Sequence, residues 1–233
     1  MAMLRSDLAN RIFKTAGGSV HALKDIDMEI QPRMLTVLRG RSGSGKTCMI
    51  NLLGALDKPT SGQIFFQDRC ISRMGEPARD ALRRKEYGFV FQSVALISNM
   101  TALENVEFAL RLSKYSRREM TKRAEECLAF VGLEKRMKHR PAELSGGEQQ
   151  RVAIARAIAH KPSVIFADEP TAELDSHMGL QIIATFRSLI DEEGVTIVMT
   201  THDPQMMDLA DMVYTLQDGR VTEHIDVREE ALS

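Results

Sequence analysis

The stretch Gly40–Thr47 reads GRSGSGKT, and it decides the fold of this chain. It matches the pattern G-x-x-x-x-G-K-[ST], in which glycines let successive backbone N–H groups turn inward around a polyphosphate. Lys46 would reach the β- and γ-phosphate oxygens, and the Thr47 hydroxyl would ligate Mg²⁺. An apolar run at 34–38 precedes the loop, and 49–53 can begin a helix whose positive end faces the phosphates. The context predicts a nucleotide-binding loop between a strand and a helix.

Length and composition exclude several classes of protein. The 233 residues suffice for one domain, or for one domain with a small inserted lobe. A net charge of −1, from 31 basic and 32 acidic residues, gives no general reason to expect a nucleic-acid partner. No apolar run approaches the roughly 18 residues that span a bilayer, and the amino terminus lacks a secretion signal, so we expect a cytosolic protein. Cys48, Cys70 and Cys127 predict reduced thiols.

The amino-terminal segment predicts β-structure outside a parallel core. Residues 20–30 alternate between apolar and polar side chains, which predicts an antiparallel strand near an edge. Phe13 lies upstream in a second such segment. An aromatic ring here could stack on a nucleotide base, or it could fill the core, as a strand phenylalanine more often does. On the residues alone both readings stay open.

A further strand is predicted at 87–91, with Gln92 at its carboxyl end. Ligands of open α/β sheets gather at the carboxyl ends of strands, so Gln92 could sense a γ-phosphate or its metal, or it could be a surface residue. Residues 101–133 have helical periodicity with a break at 113–116, which predicts an inserted helical lobe over roughly 93–147. The basic run at 135–140 could meet phosphates or an acidic partner, and we favour a solvated face.

A second anion-binding element follows this lobe. Ser145-Gly146-Gly147 precedes a helix, where unpaired N–H groups, a hydroxyl and the positive dipole end point the same way. The first site already has a lysine and a metal ligand. The simplest explanation of a second site is that it serves the nucleotide held by another copy of the chain.

Two continuous apolar runs predict buried strands with polar carboxyl ends. The run at 163–167 ends in Asp168 and Glu169, and we expect it beside the loop strand. Asp168 would hold the Mg²⁺ hydration shell, and Glu169 would orient an attacking water. The run at 195–199 leads to His202, which could donate a hydrogen bond to the γ-phosphate.

Five elements in this order resemble the ATP-binding subunits of ABC transporters. They are the loop at 40–47, Gln92, the signature LSGGEQQR at 144–151, the pair at 168–169, and His202. The resemblance runs from about residue 4 to 222. It implies an α/β P-loop NTPase (ABC ATPase) with a mostly parallel core sheet, an antiparallel N-terminal β part and an inserted α-helical lobe. It implies one domain over 1–233, with a nucleotide-binding core of 1–92 and 148–233 and a lobe of 93–147 ending in the signature.

The resemblance also implies a set of site residues for ATP and Mg²⁺. The catalytic residues would be Lys46, Glu169 and His202. Nucleotide contacts would come from Phe13, Gly40, Arg41, Ser42, Gly43, Ser44, Gly45, Lys46, Thr47, Cys48, Gln92, Ser145, Gly146, Gly147, Glu148 and Asp175, and metal contacts from Thr47, Gln92 and Asp168. Phe13, in place of the commoner Tyr, falls where the family has its adenine-facing aromatic. Cys48 replaces the usual Ser or Thr, which implies loss of a hydrogen bond to the α-phosphate.

The implied partners are a second copy, bound head to tail, and a separate integral membrane permease subunit. The chain would then be cytoplasmic and peripheral on the inner face of the membrane. Residues 56–62, 88–92 and 103–106 resemble the subgroup of lipoprotein-release, macrolide-export and antimicrobial-peptide-resistance ATPases. A non-transporting regulator, which moves a membrane partner to control cell-wall enzymes or stress signalling, would use the same residues and stays an alternative.

Overall fold

The computed structural model describes residues 1–113 and 115–230, which form two β-sheets with helices. The first sheet is antiparallel in the order β2-β1-β4-β5, formed by β1 (Leu4–Thr15), β2 (Gly18–Ile30), β4 (Ser61–Phe66) and β5 (Arg69–Cys70). The prediction of an antiparallel edge strand at 20–30 is confirmed, because β2 lies at one edge of this sheet.

The second sheet carries the nucleotide loop and has the order β10-β9-β3-β8-β7-β6. Its strands are β3 (Leu35–Arg39), β6 (Tyr87–Val90), β7 (Val164–Asp168), β8 (Thr196–Thr201), β9 (Met212–Gln217) and β10 (Arg220–Asp226). Neighbouring strands are parallel except for the β9–β10 pair. The predicted mostly parallel core sheet is therefore confirmed. The expectation that 163–167 lies beside the loop strand is wrong, because β8 pairs with both β3 and β7 and separates them.

The central strands are buried on both faces, which explains their continuous apolar sequence. In β7, Ile165 and Ala167 belong to an apolar cluster with the long helices, whereas Val164 and Phe166 belong to a second cluster between the two sheets. Successive side chains of a strand point to opposite faces, so a strand between two cores has no polar alternation.

Along the chain, the helices connect these strands or follow the last of them. They are α1 (Lys46–Leu53), α2 (Glu76–Glu86), α3 (Ala102–Leu112), α4 (Arg117–Phe130), α5 (Gly146–Ile158), α6 (Ser176–Glu193), α7 (Pro204–Met207) and α8 (Val227–Glu230), with 3₁₀ turns at Ile71–Arg73, Glu134–Arg136 and Pro141–Glu143. The predicted helices with a break at 113–116 correspond to α3 and α4. Apolar residues of both helices join the same cluster as those of α5 and β7, so the segment between β6 and β7 packs directly on the rest of the core. The division at 93 and 147 stays a prediction.

Candidate nucleotide-binding site

The phosphate loop is shaped by two glycines that no other residue can replace. Gly40 and Gly45 have φ angles of 152° and 108°, in the region that L side chains rarely adopt. A Cβ at Gly45 would lie 2.8 Å from Leu23 Cδ2 and 2.9 Å from Ala22 O, and one at Gly40 would overlap Leu216 O. The loop is therefore fixed between β2 and β9, with α1 beginning at Lys46.

Lys46 lies between the loop and two side chains from distant strands. Its Nζ donates to Gly40 O at 2.8 Å and to Arg41 O at 3.3 Å. The same Nζ is 3.8 Å from Glu169 Oε1, and His202 Nδ1 is 3.5 Å from Glu169 Oε2. The carboxyl ends of β3, β7 and β8 thus bring the three predicted catalytic residues into one cluster, as parallel strands of one sheet do.

The two carboxylates at the end of β7 point in different directions because the backbone bends at Glu169, directly after Asp168. Glu169 has a φ of 46°, a left-handed conformation that costs a residue with a Cβ on the order of 1–3 kcal/mol and that clusters at functional sites. Asp168 Oδ1 instead accepts from Thr47 Oγ1 at 3.2 Å and from Thr200 Oγ1 at 2.7 Å. Asp168 therefore faces α1, while Glu169 faces Lys46 and His202, in keeping with separate roles.

Thr200 is a site residue that the sequence reasoning missed. Its hydroxyl donates to Asp168 Oδ1 and accepts from the Glu169 backbone N–H at 2.8 Å, so it holds both acidic residues. Thr200 is fully buried at the carboxyl end of β8, between β3 and β7. A polar residue that ends an apolar strand is the signal that could have identified it.

One cavity of about 800 Å³ contains most of the predicted site. Its lining includes Ala22, Gly40, Arg41, Ser42, Gly43, Gly45, Lys46, Thr47, Cys48, Gln92, Glu169 and His202. Asp168 and Ser44 adjoin it through Thr47 and the loop. Burial raises the pKa of the Cys48 thiol to about 11, so Cys48 faces the cavity as a neutral thiol.

Phe13 lies on β1, outside the residues that line this cavity, and the residue is 39% exposed. The Arg11 guanidinium lies 4.5 Å from the ring centroid and covers one face. Arg11 Nε is in turn 2.8 Å from Asp57 Oδ2, in an ion pair whose N–H is not aligned for a hydrogen bond. The core reading of Phe13 is wrong, and the exposed ring is compatible with base stacking, which stays a prediction.

The turn at 145–147 lies apart from the cavity. Ser145 is the N-cap of α5: its hydroxyl accepts from the Glu148 N–H at 3.3 Å, and Glu148 Oε2 accepts from the Ser145 N–H at 2.8 Å. This reciprocal pair is a capping box. Chiefly because of the Ser145 N–H, the pKa of Glu148 is below its usual value. None of Ser145, Gly146, Gly147 and Glu148 is among the described residues that line the cavity.

Asp175 begins α6 beside this turn. Its side chain accepts from the Met178 N–H at 2.9 Å and so caps the helix. Met178 in turn packs on Gly147, where a Cβ would overlap its Cε. Asp175 therefore lies on the segment that packs against the turn at 145–147 of its own chain.

The family is shown by comparison with known proteins. The family model described as ABC transporter matches residues 23–172, which is more than half of the chain. The chain belongs to the ABC transporter family. Relatives of the cassette support this assignment along nearly the whole sequence.

Two relatives illustrate how ABC cassettes of this kind occur. MJ1508, an uncharacterized ABC transporter ATP-binding protein of Methanocaldococcus jannaschii, is 42% identical over 216 residues, which cover 93% of this chain and 96% of the relative. The macrolide export ATP-binding/permease protein MacB of Hahella chejuensis is 43% identical over 215 residues, which cover 91% of this chain and 32% of MacB. The chain thus spans about a third of MacB.

A solved ABC cassette superposes on nearly the whole chain. The structure is the dimeric ATP-binding cassette MJ0796 in a post-hydrolysis state bound to ADP and Pi, with a TM-score of 0.90 and 38% identity over 97% of this chain and 99% of that one. MJ0796 comes from Methanocaldococcus jannaschii. The chain is accordingly an ABC ATPase.

The site residues of this ABC ATPase fit ATP and Mg²⁺. Ser44 Oγ is buried in the loop with no hydrogen-bond partner among the described residues, so a phosphate oxygen could satisfy it. Over residues 1–113 and 115–230, no group of three or more His, Cys, Asp or Glu side chains could hold a metal ion. Mg²⁺ commonly takes one or two protein ligands and completes its shell with phosphates and waters, and the Thr47 and Asp168 oxygens, 3.2 Å apart, suit that role.

Proposed function

We propose that two copies of this ABC ATPase close head to tail around two ATP molecules. The observation that carries the proposal is the separation of two anion-binding elements: the loop at 40–47 lies in the cavity, whereas the turn at 145–147 lies outside it. A second copy in opposite orientation would bring its turn to the first copy's cavity. The dimeric state of MJ0796 supports this arrangement.

Within each site, the residues of this chain would have distinct roles. The backbone N–H groups of the loop and the Lys46 ammonium would bind the phosphates, and the Phe13 ring would stack on the base. Glu169 would orient the attacking water, and His202 would donate to the γ-phosphate. Mg²⁺, held by Thr47, Asp168 and Gln92, would supply charge neutralisation on the phosphates.

The second copy would complete each site. Its Ser145, Gly146 and Gly147 would present a hydroxyl, N–H groups and a positive helix end to the γ-phosphate. Asp175, at the start of α6, would link the two sites. Because hydrolysis removes the shared phosphate, the dimer would open after each turnover.

We also propose a separate integral membrane permease subunit as partner, which would hold the cassette at the cytoplasmic face of the membrane. In MacB the ATP-binding and permease parts belong to one protein, of which this chain corresponds to about a third. No described helix here is both long and apolar enough to cross a bilayer. The partner's function would be export, lipoprotein extraction or resistance to antimicrobial peptides or macrolides.

A surface for that subunit lies next to the nucleotide cavity. A cavity of about 440 Å³ is lined mainly by apolar side chains, among them Phe91, Phe108 and Leu112, which are 37%, 39% and 54% exposed. Exposed apolar patches of this kind indicate interaction sites. Phe91 lines this groove and the next residue, Gln92, lines the nucleotide cavity, so one short segment would transmit closure to the membrane subunit.

Cysteine cross-linking between two single variants tests the head-to-tail site. In a background in which Cys48, Cys70 and Cys127 are replaced by serine, one preparation carries Ser42→Cys and the other Ser145→Cys. With ATP and a mild oxidant, the mixture should give a covalent dimer that neither preparation gives alone. A chain that carries both changes and forms only an intramolecular bond would contradict the proposal.

A further inference from the structure

An acidic side chain follows the proposed phosphate-binding turn directly. Glu148 is the residue after Gly147, and its carboxylate lies within hydrogen-bond distance of the turn's first N–H group, at Ser145. This carboxylate is ionised at neutral pH, and the hydrogen bond from the Ser145 N–H lowers its pKa further below the usual value. A negative charge at this position opposes the approach of a phosphate, unless a cation offsets it.

The Glu148 carboxylate is held by two partners. Oε2 accepts from the Ser145 N–H at 2.8 Å, and Oε1 accepts from Arg136 Nε at 3.1 Å. The Glu148 side chain is 18% exposed, so it is turned back on the protein at the edge of the turn. Both oxygens therefore face groups of the same chain.

Arg136 is oriented by a second contact. Its Nη1 donates to His139 Nε2 at 3.1 Å, because a guanidinium has only donors. Arg136 ends the 3₁₀ turn Glu134–Arg136, in the basic run that we expected to be a solvated face. Arg136 is exposed, as that expectation requires, but it also pairs with Glu148, whereas its exposed neighbour Lys135 has no ion pair with any described residue.

We infer that Arg136 keeps the turn at 145–147 receptive to the γ-phosphate of a second copy's ATP by neutralising Glu148. The inference rests on the proposed head-to-tail dimer, because only there does the turn meet a phosphate. Arg136 is a positioning residue in this role: it sets the net charge at the turn and contacts no nucleotide. The relevant quantity is the summed charge of the two side chains, which is zero in this protein.

A purely structural role for the ion pair predicts a different result. If Arg136 only stabilised the fold of the turn, removing either partner would weaken ATP-driven dimer formation, and removing both would not restore it. If the summed charge matters, the two single changes have opposite effects and the double change cancels them. Glu148→Gln separates these two possibilities, because a capping box accepts Gln as well as Glu at its third helical position.

The experiment measures the ATP concentration at half-maximal dimer formation, by light scattering, for four variants in a Glu169→Gln background. The summed charge at the turn is +1 in Glu148→Gln, zero in the Glu169→Gln background alone and in the Arg136→Gln/Glu148→Gln double variant, and −1 in Arg136→Gln. At low salt we expect about a two- to fivefold higher ATP requirement for each step toward negative charge, the scale of exposed charge interactions. The differences in ATP requirement among the variants should become smaller at about 0.5 M salt because ions screen exposed charges.

Lys135→Gln is the matched control, since it removes the same formal charge one residue away. It should shift the ATP requirement much less than Arg136→Gln, and thermal melting should show all variants folded. If the Glu169→Gln background does not dimerise with ATP, the proposed dimer fails and this inference with it. If that background dimerises but the double variant needs as much ATP for dimer formation as Arg136→Gln does, the inference alone is overturned.

Discussion

The nucleotide cavity and the turn at 145–147 are both proposed to bind phosphate, yet they are built in opposite ways. The cavity takes its essential groups from four distant parts of the chain, near residues 40–47, 92, 169 and 202. The hydrogen bonds that shape the turn lie within residues 145–148, where a serine and a glutamate cap one helix. Assembly by sheet topology makes the first region, and local hydrogen bonding makes the second.

This difference determines what each region can contribute. The cavity contains a carboxylate that can act as a general base, Glu169, and a cation, Lys46. Their separation is fixed, with 3.8 Å between Lys46 Nζ and Glu169 Oε1, so this region can support hydrolysis. The turn offers N–H groups, a hydroxyl and a positive helix end, so it can bind an anion, and its carboxylate, Glu148, is already occupied by Ser145 and Arg136. Substitutions should therefore separate hydrolysis from closure.

The largest effect is expected for Glu169→Gln. The amide cannot orient and polarise water as the carboxylate does, so ATP hydrolysis should fall by about 100-fold or more, on the scale of a lost general base. The lost charge also relieves repulsion of the phosphates, so ATP binding should persist. Phosphate release and ATP-dependent dimer formation are the two measurements.

Loss of ATP binding and hydrolysis together in Glu169→Gln would contradict the separation of hydrolysis from closure. That result would mean that Glu169 mainly holds Lys46 and His202 in place, and the cavity could not be separated into binding and chemical groups. A Glu173→Gln variant, changed at an exposed residue of the following turn, should hydrolyse ATP as the parent protein does.

The sequence predicted the parts of the cavity better than the contacts among them. The loop, the strand-end carboxylates and His202 are recognisable because each follows a buried apolar strand, and parallel strands share one functional edge. The order of those strands is not written in their spacing, so the position of β8 between β3 and β7 came from the structure. The role of Thr200 depends on that order and could not be deduced without it.

The turn region likewise has one contact that the sequence predicts and one that it does not. The capping box at Ser145 follows from a local pattern, serine followed by glutamate three residues later. The Arg136–Glu148 pair does not, because it joins a residue of the segment between α4 and α5 to a residue of α5 that is 12 positions away. Charge composition gives Arg136 and Lys135 the same character, and both are exposed; only the ion pair with Glu148 distinguishes Arg136.

A second prediction concerns the residue that links the two acids of the cavity. Thr200→Val removes the hydroxyl while keeping the shape, which leaves the Glu169 N–H without its acceptor and Asp168 Oδ1 with only the longer hydrogen bond from Thr47 Oγ1. We expect about tenfold slower hydrolysis, in the range for groups that orient ligands, and about 1–3 kcal/mol lower stability. Steady-state ATPase assays and urea unfolding measure the two effects.

Thr36→Val is the control for this change. Thr36 is fully buried on β3, and its hydroxyl has no hydrogen-bond partner among the residues that the structure describes. Replacing an unpaired buried hydroxyl with a methyl group should leave hydrolysis intact and stability equal or higher. Equal losses in both valine variants would assign the effect of Thr200 to packing and not to its hydrogen bonds.

The smallest effect compares two serines that do the same local work in different places. Ser145 and Ser116 both cap a helix and both pair with a glutamate three residues on, with serine N–H to carboxylate distances of 2.8 Å and 3.0 Å. Each alanine variant should lose about 1 kcal/mol of stability, the usual cost of an N-cap. Only Ser145→Ala should also raise the ATP concentration needed for dimer formation, because only its hydroxyl would meet a phosphate. If the two variants match in ATP requirement as well as in unfolding, the turn at 145–147 acts as a helix cap alone. The group that completes the phosphate site would then come from another part of the second copy.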